Sequence, residues 1–336
     1  MESAIELNSE INYLHHYNKT AISISTTAKH EYSFRTLPRR VYAGTAISNF
    51  MINDEQILEE VLFFFDGKVD IIYIDVEQKQ NINLFKIARE KIKLSQLITV
   101  KPNDTTLESC DILIRYHLKD DLYNKNVIVI GTGNLASKIA IRLAERQASV
   151  FVKGRTRDKE INFINGLNFL LPKNTPPIEA FHELSSEEKA NVIVSFLSGP
   201  FEEEETLYQF INEKTIVIDG GINNFSGNFI QRMITNNINV TRLDARIALP
   251  YQLLSNDNYT NKFFKETYGQ GKINDSKVVS GGFIGPEGSV IVDTITEPSQ
   301  IIGIADGRGG VKINEQLSES ERNRIRKIKQ AISKND

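Results

Sequence analysis

A six-residue stretch containing two glycines follows an apolar, strand-like run over residues 127–130. It has the GxGxxA spacing of a dinucleotide-binding turn, in which the first glycine permits the tight turn and the second leaves room for a pyrophosphate. A small third residue lets the following helix pack closely and offer its N-terminal N–H groups to the phosphates. Because the whole strand–turn–helix–strand pattern is present, we predict a bound nicotinamide dinucleotide rather than a ligand-free turn. The six residues are Gly131, Thr132, Gly133, Asn134, Leu135 and Ala136.

The end of the next strand bears on the choice between NAD and NADP. Enzymes that use NAD usually place an acidic residue there to bind the ribose 2′-hydroxyl. This chain instead has Lys153 and Gly154 followed by Arg155, Thr156 and Arg157, with no carboxylate before residue 158. Because arginine forms charge-assisted hydrogen bonds with phosphate, the sequence favours NADP, with NAD as the alternative.

Two further strand ends should border the cofactor, since open α/β sheets bind ligands at the carboxyl ends of their strands. The segment SFLSGP occupies residues 195–200 and DGGIN occupies residues 219–223. A later glycine-rich segment, GGFIGPEGS, is a candidate for the nicotinamide side, with ordinary turns as the alternative. The candidate residues in these segments are Ser195, Leu197, Ser198, Asp219, Gly220, Gly221, Asn223 and Gly282.

Charged residues at the end of the strand-like run VDIIYIDV are candidates for proton transfer. Asp75, Glu77 and Lys79 alternate at period two and therefore share one face. Lysine beside acidic groups can act as a general acid, although a solvated strand-end pair is the alternative. Arg246 and Arg308 lie among small residues and could bind a substrate carboxylate.

Helices are expected to alternate with strands along the chain, which indicates βαβ units and an α/β fold with a doubly wound parallel sheet. Predicted helices cover residues 51–65, 84–94, 107–117, 134–146 and 201–213, and predicted strands cover residues 69–76, 96–100, 127–130, 149–154, 191–197 and 215–221. We expect a smaller N-terminal α/β domain over residues 1–120, a Rossmann domain over residues 121–312, and a C-terminal helix over residues 313–336. The joint is predicted near residues 120–125.

Composition narrows the function classes. The 336 residues are 40% hydrophobic and 25% charged, with a net charge of -3, which favours a globular fold and no general affinity for nucleic acid. Neither a signal peptide nor a membrane-spanning segment is predicted from the sequence. Cys110 is the single cysteine, so a reducing, cytoplasmic location is expected, and its side chain is predicted to be buried. His15 and His16 are predicted to be surface residues, and no metal-ligand spacing is present. We expect a homodimer that acts on a small molecule.

Four segments resemble the methylenetetrahydrofolate dehydrogenase/cyclohydrolase family and, more distantly, shikimate dehydrogenases. VDIIYIDVEQKQNIN is similar to the family's GILVQLPLP strand, with Asp75 standing where the family has glutamine. TTLESCDILIRYHLKDDLYNKNVIVIG is similar to TPxGxxxLLxxYxIDLxGKxxVVIG, KTIVIDGGIN to VIDVGIN, and SGGFIGPEGS to PGGVGPMT. The YxxxK helix that carries the family's lysine has no counterpart before residue 69.

The resemblance implies two domains facing each other across a cleft, with the C-terminal helix returning to the first domain. It also implies an NAD(P)-dependent dehydrogenase or reductase, in which Lys79 and Asp104 would correspond to the Lys–Asp pair of shikimate dehydrogenases. The expected function is therefore hydride transfer to or from a small polar metabolite at a C–N or C–O bond. Two alternatives stay open. One is a dinucleotide-binding regulatory protein that has lost catalysis, and the other is an enzyme resembling ornithine cyclodeaminases or imine reductases.

Overall fold

The computed structural model describes residues 2–27, 32–254 and 258–332. The chain divides into two compact units, Met1–Gln252 and Leu253–Asp336. The first unit contains a five-stranded and a six-stranded sheet, and the second contains a four-stranded sheet. Helices pack on these sheets, so the predicted α/β class is confirmed.

The five-stranded sheet has the strand order β2-β3-β1-β4-β5, and only β2 runs antiparallel to its neighbour. Its strands are β1 (Lys19–Ser25), β2 (Phe34–Tyr42), β3 (Thr45–Ile52), β4 (Ile71–Asp75) and β5 (Gln96–Val100), and its helices are α1 (Glu2–Leu14), α2 (Glu55–Phe65) and α3 (Leu84–Lys91). The helix predicted from residue 51 begins four residues later, because Met51 and Ile52 complete β3. Asp54 caps α2 by accepting a hydrogen bond from the Ile57 N–H at 2.9 Å.

One face of this sheet is covered by helices and forms an apolar core with them. Ile22, Ile24, Phe50, Ile72 and Ile74 from its central strands pack with the apolar faces of the helices. Because side chains alternate along a strand, the intervening residues lie on the opposite face. The parallel strands β1, β3 and β4 end at the same edge of the sheet, and Asp75 is the last residue of β4.

The six-stranded sheet is parallel throughout and has the order β11-β10-β9-β6-β7-β8. Its strands are β6 (Asn126–Ile130), β7 (Ser149–Lys153), β8 (Glu179–Ala180), β9 (Val192–Ser195), β10 (Ile216–Asp219) and β11 (Asn239–Arg242), and its helices are α4 (Pro102–His117), α5 (Asn134–Glu145), α6 (Arg157–Leu170) and α7 (Gly227–Thr235). The helix predicted over residues 201–213 is a shorter 3-10 helix, Glu204–Phe210.

Helices cover both faces of this sheet, as expected for a doubly wound fold. Val127 and Val129 of β6 face the core formed with α4, α5 and α6, whereas Ile128 and Ile130 face the core that includes Phe229 of α7. The chain winds from β6 outwards to β8 on one side, and then from β9 to β11 on the other. The reversal at β6 and β9 is the position at which such sheets bind ligands.

The predicted joint near residues 120–125 falls between α4, which ends at His117, and β6, which begins at Asn126. However, α4 already packs in the core of the six-stranded sheet, and both sheets belong to one compact unit. Buried Asp111 of α4 accepts two hydrogen bonds of 2.8 Å from Arg146, which immediately follows α5. This paired geometry fastens α4 to the next helix, so the sheets are not separated by a free linker.

The predicted extent of the Rossmann domain to residue 312 needs correction. Its sheet ends at β11, and the following strands form the separate unit Leu253–Asp336 with their own sheet. The last helix packs on that sheet through Ile328, which shares a core with Val278, Val290 and Ile304. Contacts that are distant in sequence therefore place residues 253–312 with the C-terminal helix rather than with the six-stranded sheet. A short helix, α8 (Leu249–Leu253), ends the first unit. The elements of the second unit are α9 (Asn258–Lys262), β12 (Gln270–Ile273), β13 (Ser276–Ser280), β14 (Val290–Val292), β15 (Ile301–Ile304) and α10 (Glu319–Ile332).

Glu321 in the first turn of α10 makes the stability of the second unit sensitive to acid. Hydrogen bonds from the Ser318 N–H and from Lys312 lower the pKa of Glu321 from its ordinary 4.5 to about 2. A depressed pKa contributes stability above the unfolded value, and that stability is lost as the pH falls towards about 2. We expect Glu321→Gln to lower the melting temperature at pH 7, and the deficit to shrink between pH of about 5 and about 2.

Thermal unfolding followed by circular dichroism at several pH values tests this expectation. Glu319→Gln is the matched control, because Glu319 is an exposed residue in the same turn of α10. A deficit for Glu321→Gln that is as large at pH 2.5 as at pH 7 would contradict the assigned role of the Glu321 carboxylate.

Candidate functional site

The glycine turn leaves the carboxyl end of β6 and opens into α5. Gly131 has a φ of +126°, and a side chain there would lie 3.0 Å from the Phe196 carbonyl oxygen. Gly133 is the N-cap of α5, and nothing lies within 4 Å of the position that its Cβ would occupy. Ala136 is fully buried in the core. The turn therefore combines a close backbone approach, a buried small residue and open space beside free helix N–H groups, which is the geometry that holds a pyrophosphate.

The segment after β7 presents basic side chains to solvent. Arg155, Thr156 and Arg157 are exposed, and within the described ranges their side chains make no hydrogen bond or ion pair. Gly154, by contrast, is buried and donates a hydrogen bond of 2.7 Å to the Glu160 carboxylate. The Glu160 carboxylate is thus bound by the backbone, while the cationic groups of Arg155 and Arg157 stay available for a phosphate.

The loops after β9 and β10 are fastened to each other by Asn224, which is fully buried. Its side-chain oxygen accepts hydrogen bonds from the Ser195 hydroxyl at 2.8 Å and from the Leu197 N–H at 3.0 Å. Its amide donates to the carbonyl oxygens of Leu197 and Gly199, both at 3.0 Å. Asn224 therefore sets the shape of both loops that border the carboxyl ends of the strands.

Two polar residues predicted to contact the cofactor are used inside this loop pair. Ser195 is fully buried against Asn224. Asp219 accepts hydrogen bonds from the N–H groups of Gly221, Ile222 and Asn224. Among the other predicted residues, Ser198 and Asn223 keep exposed side chains.

The glycine pair after β10, Gly220 and Gly221, packs closely against the loop that follows β9. A Cβ on Gly220 would lie 2.3 Å from the Phe196 ring, and one on Gly221 would lie 2.2 Å from the Leu197 carbonyl oxygen. These distances are too short for a Cβ, so a side chain at either position would displace a neighbouring group of the loop after β9. Packing therefore gives both glycines a structural role, and the predicted approach of the nicotinamide ribose to this backbone stays a prediction.

The three charged residues after β4 form one cluster. The Lys79 ammonium lies 3.0 Å from a carboxylate oxygen of Asp75 and 3.0 Å from one of Glu77. The Asp75 side chain is fully buried, and burial raises its pKa, opposed by Lys79 and by the Glu77 N–H. The Lys79 side chain is 17% exposed, so it is mostly but not completely buried.

Contacts link this cluster to the helix that follows the glycine turn. Glu77 accepts a hydrogen bond of 2.8 Å from the Asn103 N–H in the first turn of α4. The next residue, Asp104, accepts a hydrogen bond of 2.7 Å from Lys138 of α5. Burial alone would raise the pKa of Asp104, but hydrogen bonds from Lys101 and Lys138 hold this pKa below its ordinary value. The described contacts therefore run from Lys79 through Glu77 and the start of α4 to α5.

The predicted pairing of Lys79 with Asp104 needs correction. Among the ion pairs of the described residues, Lys79 binds Asp75 and Glu77, whereas Asp104 binds Lys101 and Lys138. The reason is positional, because Asp104 lies in the first turn of α4 and its carboxylate is already taken by two ammonium groups.

The two arginines predicted to bind a substrate carboxylate, Arg246 and Arg308, lie in different units of the chain. Arg246 makes a paired interaction with Asp244, with hydrogen bonds from its Nε at 2.9 and 3.0 Å, while its side chain stays 60% exposed. Arg308 and Gly282 are exposed residues of the second unit. Arg308 and Gly282 therefore lie outside the first unit, which contains the glycine turn and the Lys79 cluster.

Three residues of this site were missed in the sequence: Asn224, Lys138 and Glu160. Asn224 directly follows the DGGIN segment, and Lys138 lies one turn into α5, so proximity to a motif was the available signal for both. Glu160 stands six residues after Gly154 and is buried. None of these positions has a local pattern that reveals its partner.

The remaining expectations concern isolated residues. Cys110 is fully buried and burial raises its pKa, so the predicted packing role is confirmed. His15 and His16 are exposed at the end of α1, as predicted. Throughout the described ranges, no three His, Cys, Asp or Glu side chains gather as metal ligands would. Among the described helices, none has the length and apolarity that crossing a membrane requires.

Comparisons with known proteins find matches among solved structures but not among family models or curated proteins. No protein-family model matches the chain, and no curated protein matches it. Shikimate dehydrogenase from Aquifex aeolicus is 19% identical with a TM-score of 0.43, over 71% of this chain and 92% of that one. A shikimate dehydrogenase in complex with NADP+ is 12% identical with a TM-score of 0.42, over 71% and 90%. L-Tryptophan dehydrogenase from Nostoc punctiforme is 12% identical with a TM-score of 0.42, over 74% and 75%. At such low identity and score, the chemistry of this chain has to be inferred from its own residues.

Proposed function

We propose that this protein is an NADP-dependent oxidoreductase that transfers a hydride to or from a small polar metabolite at a C–N or C–O bond. The observation that carries the proposal is the turn between β6 and α5, where Gly131 and Ala136 are required by packing and Gly133 borders open space. The turn lies at the reversal of strand order, where doubly wound sheets bind dinucleotides. The neighbouring loops, fastened by Asn224, give the nicotinamide half a fixed surface.

NADP is favoured over NAD by the charge at the end of β7. Arg155 and Arg157 are exposed cations, and Thr156 adds a hydroxyl between them. A 2′-phosphate accepts charge-assisted hydrogen bonds from such groups. Glu160, the buried carboxylate of this region, accepts from the Gly154 N–H and is not offered to a ribose 2′-hydroxyl.

Bound NADPH would donate the hydride in reduction and bound NADP+ would accept it in oxidation, while the protein would supply orientation and a proton donor or acceptor. Lys79 is the proposed proton donor to the substrate oxygen or nitrogen, since its side chain is partly exposed and its ammonium is held by two carboxylates. Asp75 and Glu77 orient the Lys79 ammonium, and Asp104 positions the start of α4 against α5 through Lys138. Proton loss from Lys79 in reduction, or proton gain in oxidation, is balanced by solvent.

Cofactor preference provides a direct test. We expect NADPH to bind at least about tenfold more tightly than NADH, which corresponds to about 1.4 kcal/mol. Arg155→Gln should remove most of this preference by weakening NADPH while leaving NADH affinity nearly unchanged. Lys159→Gln is the matched control, because it removes one exposed positive charge from α6 downstream of the proposed phosphate contacts.

Isothermal titration of the full chain with both cofactors measures these affinities. Equal affinities in the unaltered protein, or an equal loss for both cofactors in Arg155→Gln, would remove Arg155 from the 2′-phosphate site. A panel of small carbonyl and imine compounds, followed through NADPH absorbance, would then identify the substrate class.

A further inference from the structure

The second unit contains a cavity of about 460 Å³ that the proposed oxidoreductase function does not use. It is bounded by the turn between β12 and β13, by the loop that precedes β14, and by α10. All of its lining residues lie between positions 274 and 327, so the cavity is complete within this unit. Its volume falls in the range of small-molecule sites.

Three cationic side chains line this cavity without a strong protein partner. Lys277 and Lys327 make no hydrogen bond or ion pair with any described residue, and Arg324 makes no hydrogen bond with one. The nearby Lys312 is different, since it lies 2.6 Å from Glu287 and 3.0 Å from Glu321. Glu287 and Glu321 are thus bound to Lys312, and the three cations that line the cavity outnumber its two carboxylates, Asp275 and Glu287.

Arg324 is held in an arrangement that the protein alone leaves incomplete. Its Nε is buried and has no hydrogen-bond partner, and the nearest carboxylate oxygen, on Glu321, lies 3.9 Å from its Nη2. The guanidinium packs against Gly288, where a Cβ would come within 2.9 Å of Nη2. Gly288 also has a φ of +81°, which favours glycine. A buried donor without an acceptor costs free energy. The Arg324 side chain as a whole is 35% exposed and lines the cavity, so an anionic ligand there would offer acceptors to the exposed part of its guanidinium.

We propose that this cavity binds the phosphate monoester of a small polyhydroxylated metabolite. A tetrahedral dianion accepts hydrogen bonds from several directions, which matches cations contributed by β13 on one side and α10 on the other. Ser276 and Ser289 also line the cavity, and neither hydroxyl is bonded to a described residue. The volume exceeds what a phosphate alone fills, so the organic part of the ligand occupies the rest.

Isothermal titration of the full chain with ribose 5-phosphate tests the proposal, with ribose and inorganic phosphate titrated in parallel at constant ionic strength. We expect saturable binding of ribose 5-phosphate, weaker binding of inorganic phosphate and none of ribose. Arg324→Gln and Lys277→Gln should each weaken ribose 5-phosphate by at least about tenfold, because each removes a charge-assisted contact. Arg326→Gln is the matched control, since Arg326 is an exposed residue of the same helix that bonds Asn323.

Lys277 and Lys327 are exposed, so Lys277→Gln and Lys327→Gln keep the proposal testable should Arg324→Gln fail to fold. Absence of saturable binding would overturn the proposal. So would ribose 5-phosphate affinities in Lys277→Gln and Lys327→Gln that equal the affinity of the unaltered protein.

NADP+ itself carries a phosphate monoester, and variants of the two proposed sites distinguish binding at one from binding at the other. Arg155→Gln should leave ribose 5-phosphate affinity unchanged, and Lys277→Gln should leave NADPH affinity unchanged. Failure at one site therefore does not imply failure at the other.

Discussion

Replacing Gly133 with valine should abolish dinucleotide binding. Gly133 caps α5, and nothing lies within 4 Å of its Cβ position, so the folded chain leaves open space where a side chain would begin. The same side chain would occupy the volume that a pyrophosphate needs against the helix N-terminus. We expect NADPH affinity to fall by at least about a thousandfold, while the melting temperature without cofactor changes little.

Gly166→Val is the matched control for this variant. Gly166 is an exposed glycine of α6, and nothing lies within 4 Å of its Cβ position either. It is remote in sequence from the glycine turn, so its substitution tests the general cost of valine at an open glycine. Retained NADPH binding in Gly133→Val, measured by isothermal titration, would place the dinucleotide elsewhere on the protein.

Replacing Lys79 with methionine should lower turnover by at least about a hundredfold, because a general acid contributes typically about 10²–10⁴-fold. Methionine keeps much of the apolar stem but removes the ammonium that lies between Asp75 and Glu77. Cofactor affinity should change little, since the proposed cofactor contacts come from the six-stranded sheet. Steady-state turnover with saturating NADPH, alongside a titration of NADPH, separates the two effects.

The buried Asp75 carboxylate loses its counter-ion in Lys79→Met, which costs stability. Lys79→Arg is therefore the second variant, because it keeps the positive charge and the ion pairs while displacing the donor atom and raising its pKa. We expect Lys79→Arg to fold and still lose most of its turnover. Lys86→Met, at an exposed position of α3, is the control for methionine substitution. Near-normal turnover in Lys79→Met would make Lys79 a structural residue and direct attention to Asp75 and Glu77.

The two proposed activities, hydride transfer and binding of a phosphate monoester, depend on residues in different units of the chain. Hydride transfer depends on the turn at Gly133 and the cluster around Lys79, both in the first unit. Binding of a phosphate monoester depends on Lys277, Arg324 and Lys327 in the second. Each therefore has its own variants and its own readout, and the first could be correct while the second is wrong.

The sequence by itself determined the features that depend on neighbouring residues. The apolar run of β6, the spacing of Gly131 and Gly133, and the helical pattern of α5 lie within one short segment, so their local structure could be predicted from periodicity. The burial of Cys110 likewise follows from residue type and an amphipathic helix. The alternation of helices and strands was enough to indicate the α/β class.

Only the tertiary structure decided which side chains meet. Lys138 and Asp104 are 34 residues apart, and Asn224 and Leu197 are 27 apart, and no local pattern records either contact. The same holds for the second unit, where packing of Ile328 against strands β13 to β15 removes residues 253–312 from the six-stranded sheet. The physical reason is that periodicity reports which face of an element is apolar. The choice among possible partners depends on how the faces pack in three dimensions.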